Sequence, residues 1–391
     1  MGMKDKVAII GVGCTKFGEN WERSAEDMMV EAAYEAYEDA GIEPDKIQAA
    51  WLGTTTSGRG GPMLAHALKL EYIPVTRVEN YCATGTDALR NACYSVAAGI
   101  YDIALVVGVE KLKDQGFAGL QGHPEIATSE VRVRLMPPIQ FALSATRYFS
   151  HYALSYEQGK ELLAKIAVKN HHNGSLNPKA HLQHEITMEQ AVNAPMIAWP
   201  LGLFDCCGVT DGAAAAIVTR AELARKFRND YVLVKGLSVS CGAWQGQLQN
   251  TYDYIHFPEN VSAAKMAYEE AGIKNARKEI DLALVHDCFT ITELITYEDL
   301  GLSERGKALS DVNAGVFQLD GELPVNTDGG LKSFGHPIGA TGLRMIYEAV
   351  KQLQNKAGLR QVKNPRIALT HNLGGAPGRF TCAICILGTR N

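Results

Sequence analysis

Short, nearly all-apolar runs recur along this chain, between longer stretches in which apolar residues return every three or four positions. Ala49-Ala50-Trp51-Leu52-Gly53, Ile103-Ala104-Leu105-Val106-Val107, Leu282-Ala283-Leu284-Val285-His286 and Ile367-Ala368-Leu369-Thr370 show no polar alternation. A strand with one face in water alternates, so continuous runs of this length predict strands buried on both faces. Leu89, Ala92, Cys93, Val96 and Ile100 mark one helical stripe, and Leu343, Ile346, Val350 and Leu353 another. Strands interleaved with such helices predict an α/β fold whose sheets are covered by helices.

The pattern repeats. Ala36-Tyr37-Glu38-Asp39-Ala40-Gly41-Ile42 returns as Ala267-Tyr268-Glu269-Glu270-Ala271-Gly272-Ile273. Each reads as a helix that stops at its glycine, and an apolar strand follows each. The runs at 103–107 and 367–370 echo one another in the same way. The expected organisation is therefore two similar halves. The first covers residues 1–120 with a return strand within 206–225, the second covers 226–391, and 121–205 is an insertion. The insertion carries clustered Met, Pro, His and Tyr, including Met136-Pro137-Pro138 and His171-His172-Asn173-Gly174. Long insertions on a rigid scaffold often form lids or substrate-binding walls.

Composition removes several function classes. A chain of 391 residues with 46% hydrophobic and 21% charged residues suits a two-part globular protein. Mean hydropathy is −0.09, and no run approaches the roughly 20 apolar residues of a membrane span. A net charge of −5 argues against nucleic acid as a partner, since affinity for a phosphate backbone comes from clustered Lys and Arg. Met1-Gly2-Met3-Lys4 runs into an apolar strand pattern without a signal-peptide core, so a cytoplasmic location is expected. Nine scattered cysteines then read as free thiols in a reducing compartment, with Cys93, Cys206 and Cys207 expected in the core. Cys382 and Cys385 lie in a strand pattern, where residues three apart face opposite ways, so no shared metal is expected there. None is expected at His171, His172, His181 and His184 either, a group without cysteine or an HExxH motif.

Four loops could carry chemistry. Cys82 ends an extended segment, Val78-Glu79-Asn80-Tyr81-Cys82, just before the first helical stripe. A helix amino terminus favours thiolate over thiol there, although a small residue packing a tight turn fits the same pattern. His286-Asp287-Cys288 leaves the carboxyl end of a strand, where open α/β sheets place ligands. The alternative is that Asp287 caps the next helix and His286 is satisfied in the core. Gly335-His336-Pro337-Ile338-Gly339 holds one histidine in a glycine-rich turn that lets backbone approach a ligand closely. His371-Asn372-Leu373-Gly374-Gly375 follows the last strand run and offers free N–H groups for an oxyanion. Gly11-Val12-Gly13 is no dinucleotide fingerprint, because Lys16 stands at the third glycine position.

Together these loops resemble the thiolase superfamily, specifically the sterol-carrier-protein-type thiolases and their archaeal and bacterial relatives. The resemblance covers essentially the whole chain. It implies the thiolase fold: two duplicated βαβαβαββ halves forming a layered α-β-α-β-α core, with an inserted loop domain. It implies cleavage of a 3-oxoacyl-coenzyme A, or the reverse Claisen condensation, through an acyl-cysteine. Cys82 would be the nucleophile and His336 its activator. His286 and His336 would hold the enolate oxygen, and the N–H groups of Cys82 and Gly374 the tetrahedral oxyanion. Most thiolases carry their acid/base cysteine where Asn372 stands here, so Cys288 inherits that role by the sterol-carrier-type pattern and Asn372 becomes a supporting residue.

The same resemblance implies coenzyme A as co-substrate, no tightly bound cofactor, no metal, a homodimer, and a zinc-ribbon/OB-fold (DUF35-type) subunit as a possible partner. Acetoacetyl-CoA is one substrate reading, and a bulkier aryl or dicarboxylic thioester such as benzoylsuccinyl-CoA is the other. Phe141, Phe149, Trp199, Phe204 and Trp244 are candidates for a roomy pocket, or for core. Two rival functions share the fold: a hydroxymethylglutaryl-CoA synthase or ketoacyl synthase, whose catalytic sets lack a second cysteine, and a non-catalytic acyl-CoA scaffold.

Overall fold

The computed structural model describes residues 2–115, 136–248 and 251–390. The first part of the expected insertion, 121–135, and the expected end of the first half, 116–120, lie outside them. Eleven strands are present among the described residues: β1 Val7–Cys14, β2 Ala49–Gly53, β3 Val75–Val78, β4 Ile103–Glu110, β5 Met196–Ala198, β6 Leu201–Gly202, β7 Gly212–Arg220, β8 Val232–Cys241, β9 Leu282–Leu284, β10 Ile367–Ala376 and β11 Arg379–Gly388. All but the β5–β6 hairpin form one sheet in the order β3-β2-β4-β7-β1-β8-β11-β10-β9.

That order contains the duplication. In the first half, β2 is parallel to β3 and β4, while β7 is antiparallel to β4 and β1. In the second, β9 is parallel to β10, while β11 is antiparallel to β10 and β8. The counterpart of β3 is reduced to a single parallel bridge between Ala283 and Val325. The halves meet where β1 pairs with β8 at Ala8–Leu233 and Ile9–Val232.

Helices complete the layers. Ala25–Ala40 packs on β1, β4 and β7, and Pro258–Ala271 on β8 and β11. Thr84–Ala97 and Thr341–Leu353 touch each other and strands of both halves, so they form the middle layer of an α-β-α-β-α stack. Their stripes are buried as expected, except that Ile100 lies beyond its helix and is exposed. The two repeat helices end at Gly41 (φ 65°) and Gly272 (φ 78°), both left-handed, as the sequence pattern required. The middle helices are sheathed by strands on both sides, which is why those strands read as continuous apolar runs.

The described part of the insertion is mostly helical, Pro137–His151 and Tyr156–Ser175. Its second helix buttresses the site loops. Asn170 Nδ2 donates to Asp287 at 2.8 Å, Lys169 Nζ to Glu293 at 2.6 Å, and Asn173 Nδ2 to the Asn326 carbonyl at 2.9 Å. Buried polar side chains are tolerated at this density only when hydrogen-bonded, and these bonds tie the insertion to the back of the loop that carries His286 and Cys288. No described helix is long and apolar enough to cross a membrane.

Candidate active site

Cys82 stands at a sharp corner between β3 and the helix Thr84–Ala97. Tyr81 takes a left-handed conformation (φ 50°), which costs on the order of 1 kcal/mol for a residue with a Cβ. The corner is held by local bonds: Ala83 N–H to the Asn80 carbonyl at 3.0 Å, Thr84 N–H to that of Tyr81 at 3.1 Å, and Asn80 N–H to Thr84 Oγ1 at 2.8 Å.

His336 Nε2 lies 3.2 Å from Cys82 Sγ, and its Nδ1 lies 2.7 Å from Thr341 Oγ1. Thr341 donates its single hydroxyl proton to the Pro337 carbonyl at 2.9 Å. It therefore accepts from His336 Nδ1–H, and the Nε2 lone pair is left facing the thiol. Burial pushes the Cys82 thiol up to about 12, with the Glu110 and Glu79 carboxylates adding to it. Burial also depresses His336 to about 3, assisted by Arg344. The pair rests as neutral thiol and neutral imidazole. This differs from the thiolate that a helix amino terminus was expected to favour, because desolvation of the charged form outweighs the partial charge of a helix end.

The second loop comes to the same place. The Cys82 sulfur and the ring nitrogens of His286 and His336 lie within 4.8 Å of one another, and the two rings meet edge to face with centroids 5.2 Å apart. Neither His286 ring nitrogen has a hydrogen-bond partner among the described residues, although the side chain is 1% exposed. Buried polar atoms in that condition call for a ligand or a catalytic explanation, so the reading of His286 as a satisfied core residue fails. Its backbone N–H donates to His371 Nδ1 at 3.3 Å, and His371 Nε2 reaches Asn260 Oδ1 at 2.9 Å. Cys288 is 3% exposed, with Thr292 Oγ1 3.7 Å from its sulfur. Burial, then the neighbouring Cys207 and Cys82 thiols, raise its thiol well above the usual range.

Asp287 does not cap the helix that follows it. Its carboxylate accepts from the N–H groups of Leu331 at 2.6 Å and Lys332 at 3.3 Å, at the start of the turn Gly330–Ser333 that leads into the His336 loop. A Cβ on Gly330 (φ 63°) would lie 2.3 Å from that carboxylate, so glycine alone fits. In the fourth loop, Asn372 Oδ1 accepts from Thr86 Oγ1 at 2.7 Å, which ties β10 to the helix behind Cys82. Gly374 abuts the Cys82 corner: a Cβ there would sit 2.8 Å from Cys82 N and 2.7 Å from Tyr81 Cβ.

Two supporting groups carried little sequence signal. Glu110, fully buried at the end of β4, accepts from Thr54 Oγ1, the Thr55, Thr56 and Ser57 N–H groups and, at 3.0 Å, the Gly339 N–H. It joins the loop after β2 to the His336 loop. A lone carboxylate closing an apolar run was the only hint. Thr341 lies two residues beyond the Gly335–Gly339 turn and showed no role in the sequence, because its hydroxyl matters only once the Nδ1 side of His336 is known.

Other expectations divide. Phe141 and Phe149 are core, Phe141 stacking on Phe289 with centroids 4.5 Å apart, whereas Trp199 is exposed and Phe204 and Trp244 are half-buried. Cys93 is buried, and Cys206 and Cys207 are partly buried and pack against the main core beside the Cys288 loop, which Cys206 bridges. His171, His172 and His181 bond to different partners, the His184 carbonyl, Glu185 and Thr210. Cys382 and Cys385 both lie on β11.

Comparison with known proteins agrees with this geometry. Residues 7–222 match the family model described as thiolase, N-terminal domain, and residues 241–389 the one described as thiolase C-terminal domain-like. Acetyl-CoA acetyltransferase of Methanothermobacter thermautotrophicus is 40% identical over 387 residues, covering 96% of this chain and 98% of that protein. Benzoylsuccinyl-CoA thiolase subunit BbsB of Thauera aromatica is 35% identical, covering 96% of each. Among solved structures, the Ltp2-ChsH2(DUF35) aldolase superposes with a TM-score of 0.86 at 26% identity, covering 99% of this chain and 98% of that one. With a duplicated core, a cysteine–histidine pair at its centre and relatives of this kind along nearly its whole length, the chain belongs to the thiolase family of acyltransferases.

Proposed function

We propose that this thiolase cleaves a short 3-oxoacyl-CoA, acetoacetyl-CoA first, with Cys82 as nucleophile and coenzyme A as co-substrate. The observation that carries the reading is the 3.2 Å contact of Cys82 Sγ with a His336 Nε2 whose tautomer Thr341 fixes. The 40% identity to an acetyl-CoA acetyltransferase supports the short acyl chain.

Cys82 gives its proton to His336 Nε2 as its sulfur bonds to the 3-oxo carbon. The oxyanion formed is met by the N–H groups of Cys82 and Gly374. The bond between the α and β carbons breaks, leaving acyl-Cys82 and the enolate of acetyl-CoA. His336 now carries a proton on Nε2, so it becomes a donor to the enolate oxygen at the step that needs one, and His286 supplies a second donor. Cys288 delivers its proton to the enolate carbon. A thiol held protonated by burial suits a donor, and a general acid contributes about 10²–10⁴-fold. Incoming CoA thiol returns a proton to Cys288, its thiolate takes the acyl group, and Cys82 recovers its proton from His336. The same groups in reverse perform condensation.

No resident cofactor is required by this scheme. A homodimer in the cytoplasm, and a zinc-ribbon/OB-fold subunit of the DUF35 type, belong to the same proposal, the latter supported by the partner named in the aldolase structure. The test is incubation with acetoacetyl-CoA, and in parallel with benzoylsuccinyl-CoA, followed by peptide mass spectrometry. An acetyl adduct confined to Cys82, and loss of thiolysis in Cys288→Ala, are expected. Full thiolysis in Cys288→Ala would favour a synthase, and absence of any adduct a scaffold.

A further inference from the structure

Cys207 takes no part in that scheme, yet it faces the residue that does. Its chain segment runs antiparallel to the Cys288 loop: Cys206 bridges Phe289, and the Cys207 N–H donates to the Cys288 carbonyl at 2.9 Å. The pair next to Cys206 and Phe289 in that arrangement is Cys207 and Cys288. Directly opposed residues of an antiparallel pair project to the same side, with Cα atoms about 4.5–5.5 Å apart. That falls within the roughly 4.4–6.8 Å that a disulfide spans. The electrostatic neighbours agree with this facing. After burial, Cys207 is the first group to act on the Cys288 thiol, ahead of Cys82, whereas Cys206 feels Lys332, Asp205 and Lys160.

The two thiols differ in access. Cys207 is half-buried and Cys288 buried, so Cys207 is the more accessible residue of the two, although its thiol too is enclosed by the surrounding protein. Lys332, itself 2% exposed, donates to the Cys206 carbonyl at 3.2 Å. Its ammonium acts on Cys207 in the direction of thiolate, against the burial that holds that thiol up. Cationic neighbours are what single out the attacking cysteine of a pair.

We propose that Cys207 and Cys288 are an oxidative modification site, at which a low-molecular-weight disulfide converts the pair into an intramolecular disulfide. The consequence for activity rests on the reading of Cys288 as proton donor. Cys207, losing its proton, attacks one sulfur of the small disulfide and expels the first small thiolate. Cys288, losing its proton in turn, attacks the Cys207 sulfur of the mixed disulfide and expels the second. Two protein thiols are oxidised to one disulfide, one small disulfide is reduced to two thiols, and the two protons leave with them. The Cys288 sulfur then has no proton to give and no lone-pair thiolate to take one, so the cycle stops before carbon is protonated. Dithiothreitol reverses it.

The native enzyme is treated with 2-hydroxyethyl disulfide, alkylated, digested and mapped by mass spectrometry, with thiolysis measured alongside. A Cys207–Cys288 linked peptide, a loss of thiolysis of at least about tenfold and recovery with dithiothreitol are expected. Cys207→Ser should keep its thiolysis within about twofold and resist the same treatment, while Cys206→Ser should respond as the native enzyme does. A stable hydroxyethyl adduct on Cys207 with Cys288 still free, a link from Cys207 to Cys206 instead, or equal inactivation of Cys207→Ser would each overturn the proposal. A Cys207–Cys288 link formed without loss of thiolysis would uphold the disulfide and overturn the proton-donor role of Cys288.

Discussion

Thr341→Val tests whether the proton-accepting face of His336 is set by a single hydroxyl. In the native protein His336 Nδ1–H is accepted by Thr341 Oγ1 at 2.7 Å, and the same hydroxyl is anchored on the Pro337 carbonyl at 2.9 Å. Valine keeps the shape and removes the acceptor. His336 is fully buried, so a retained Nδ1–H loses its only described partner, at a cost of about 1–3 kcal/mol. The ring relieves that by moving its proton to Nε2, but it then presents an N–H to Cys82 and can no longer take the thiol proton. Either way about 1–3 kcal/mol is added to the barrier, which predicts a fall in kcat of roughly 5- to 150-fold. Acetoacetyl-CoA thiolysis reads kcat directly, and the alkylation rate of Cys82 with iodoacetamide reads its activation without CoA. Both should fall in Thr341→Val and recover in Thr341→Ser, which restores the hydroxyl. A Thr341→Val enzyme with kcat within twofold of native would show that the tautomer is held by something else and would sink the argument.

Two further outcomes follow from the same geometry. Gly374→Ala introduces a Cβ 2.8 Å from Cys82 N, against backbone that cannot swing aside; displacing one oxyanion donor should lower kcat about 100- to 1,000-fold, and a variant with near-native kcat would remove Gly374 from the site. His371 is depressed to about 3 by burial, below its unfolded value of about 6.5, so the unfolded chain binds the extra proton and stability present at neutral pH is lost as pH falls below about 6.5. Linkage gives about 2 kcal/mol lost between pH 7 and pH 5 from this residue. The fall in unfolding free energy from pH 7 to pH 5, measured in urea, should be larger by this amount in native protein than in His371→Gln, and identical pH dependence would contradict it.

How much of this was legible in the sequence depends on whether the information is local. The duplicated halves were, because both repeat helices end at a left-handed glycine and the buried strands write themselves as unbroken apolar runs. The reduction of the second half's third strand to one bridge at Val325 was not, since Leu323, Pro324 and Val325 are too few to show a period. The insertion adds what its sequence did not show. Its clustered Met, Pro, His and Tyr suggest a lid or substrate-binding wall, and nothing local marks Lys169, Asn170 and Asn173, whose partners lie more than a hundred residues away.

The site shows the same division at finer scale. Each of its four loops could be seen as a turn with a reactive or polar residue, but none could be assigned chemistry alone. What links Cys82 to His336 is the packing of the two middle helices, which start beside one another because Gly85, Gly108 and Gly53 leave room for the Gly339 carbonyl, 2.9 Å from where a Cβ of Gly85 would be. Glu110 fixes that approach from the other side and also disfavours a Cys82 thiolate. One buried carboxylate thus helps to assemble the pair and adds to the burial that keeps Cys82 protonated. Motif reading finds residues that stand in short local patterns, as Cys82, His286, Cys288 and His336 do. It passes over those whose partners lie in another part of the chain, and it reversed the expected resting charge of Cys82, because burial is a property of the assembled layers and not of the loop in which the cysteine sits.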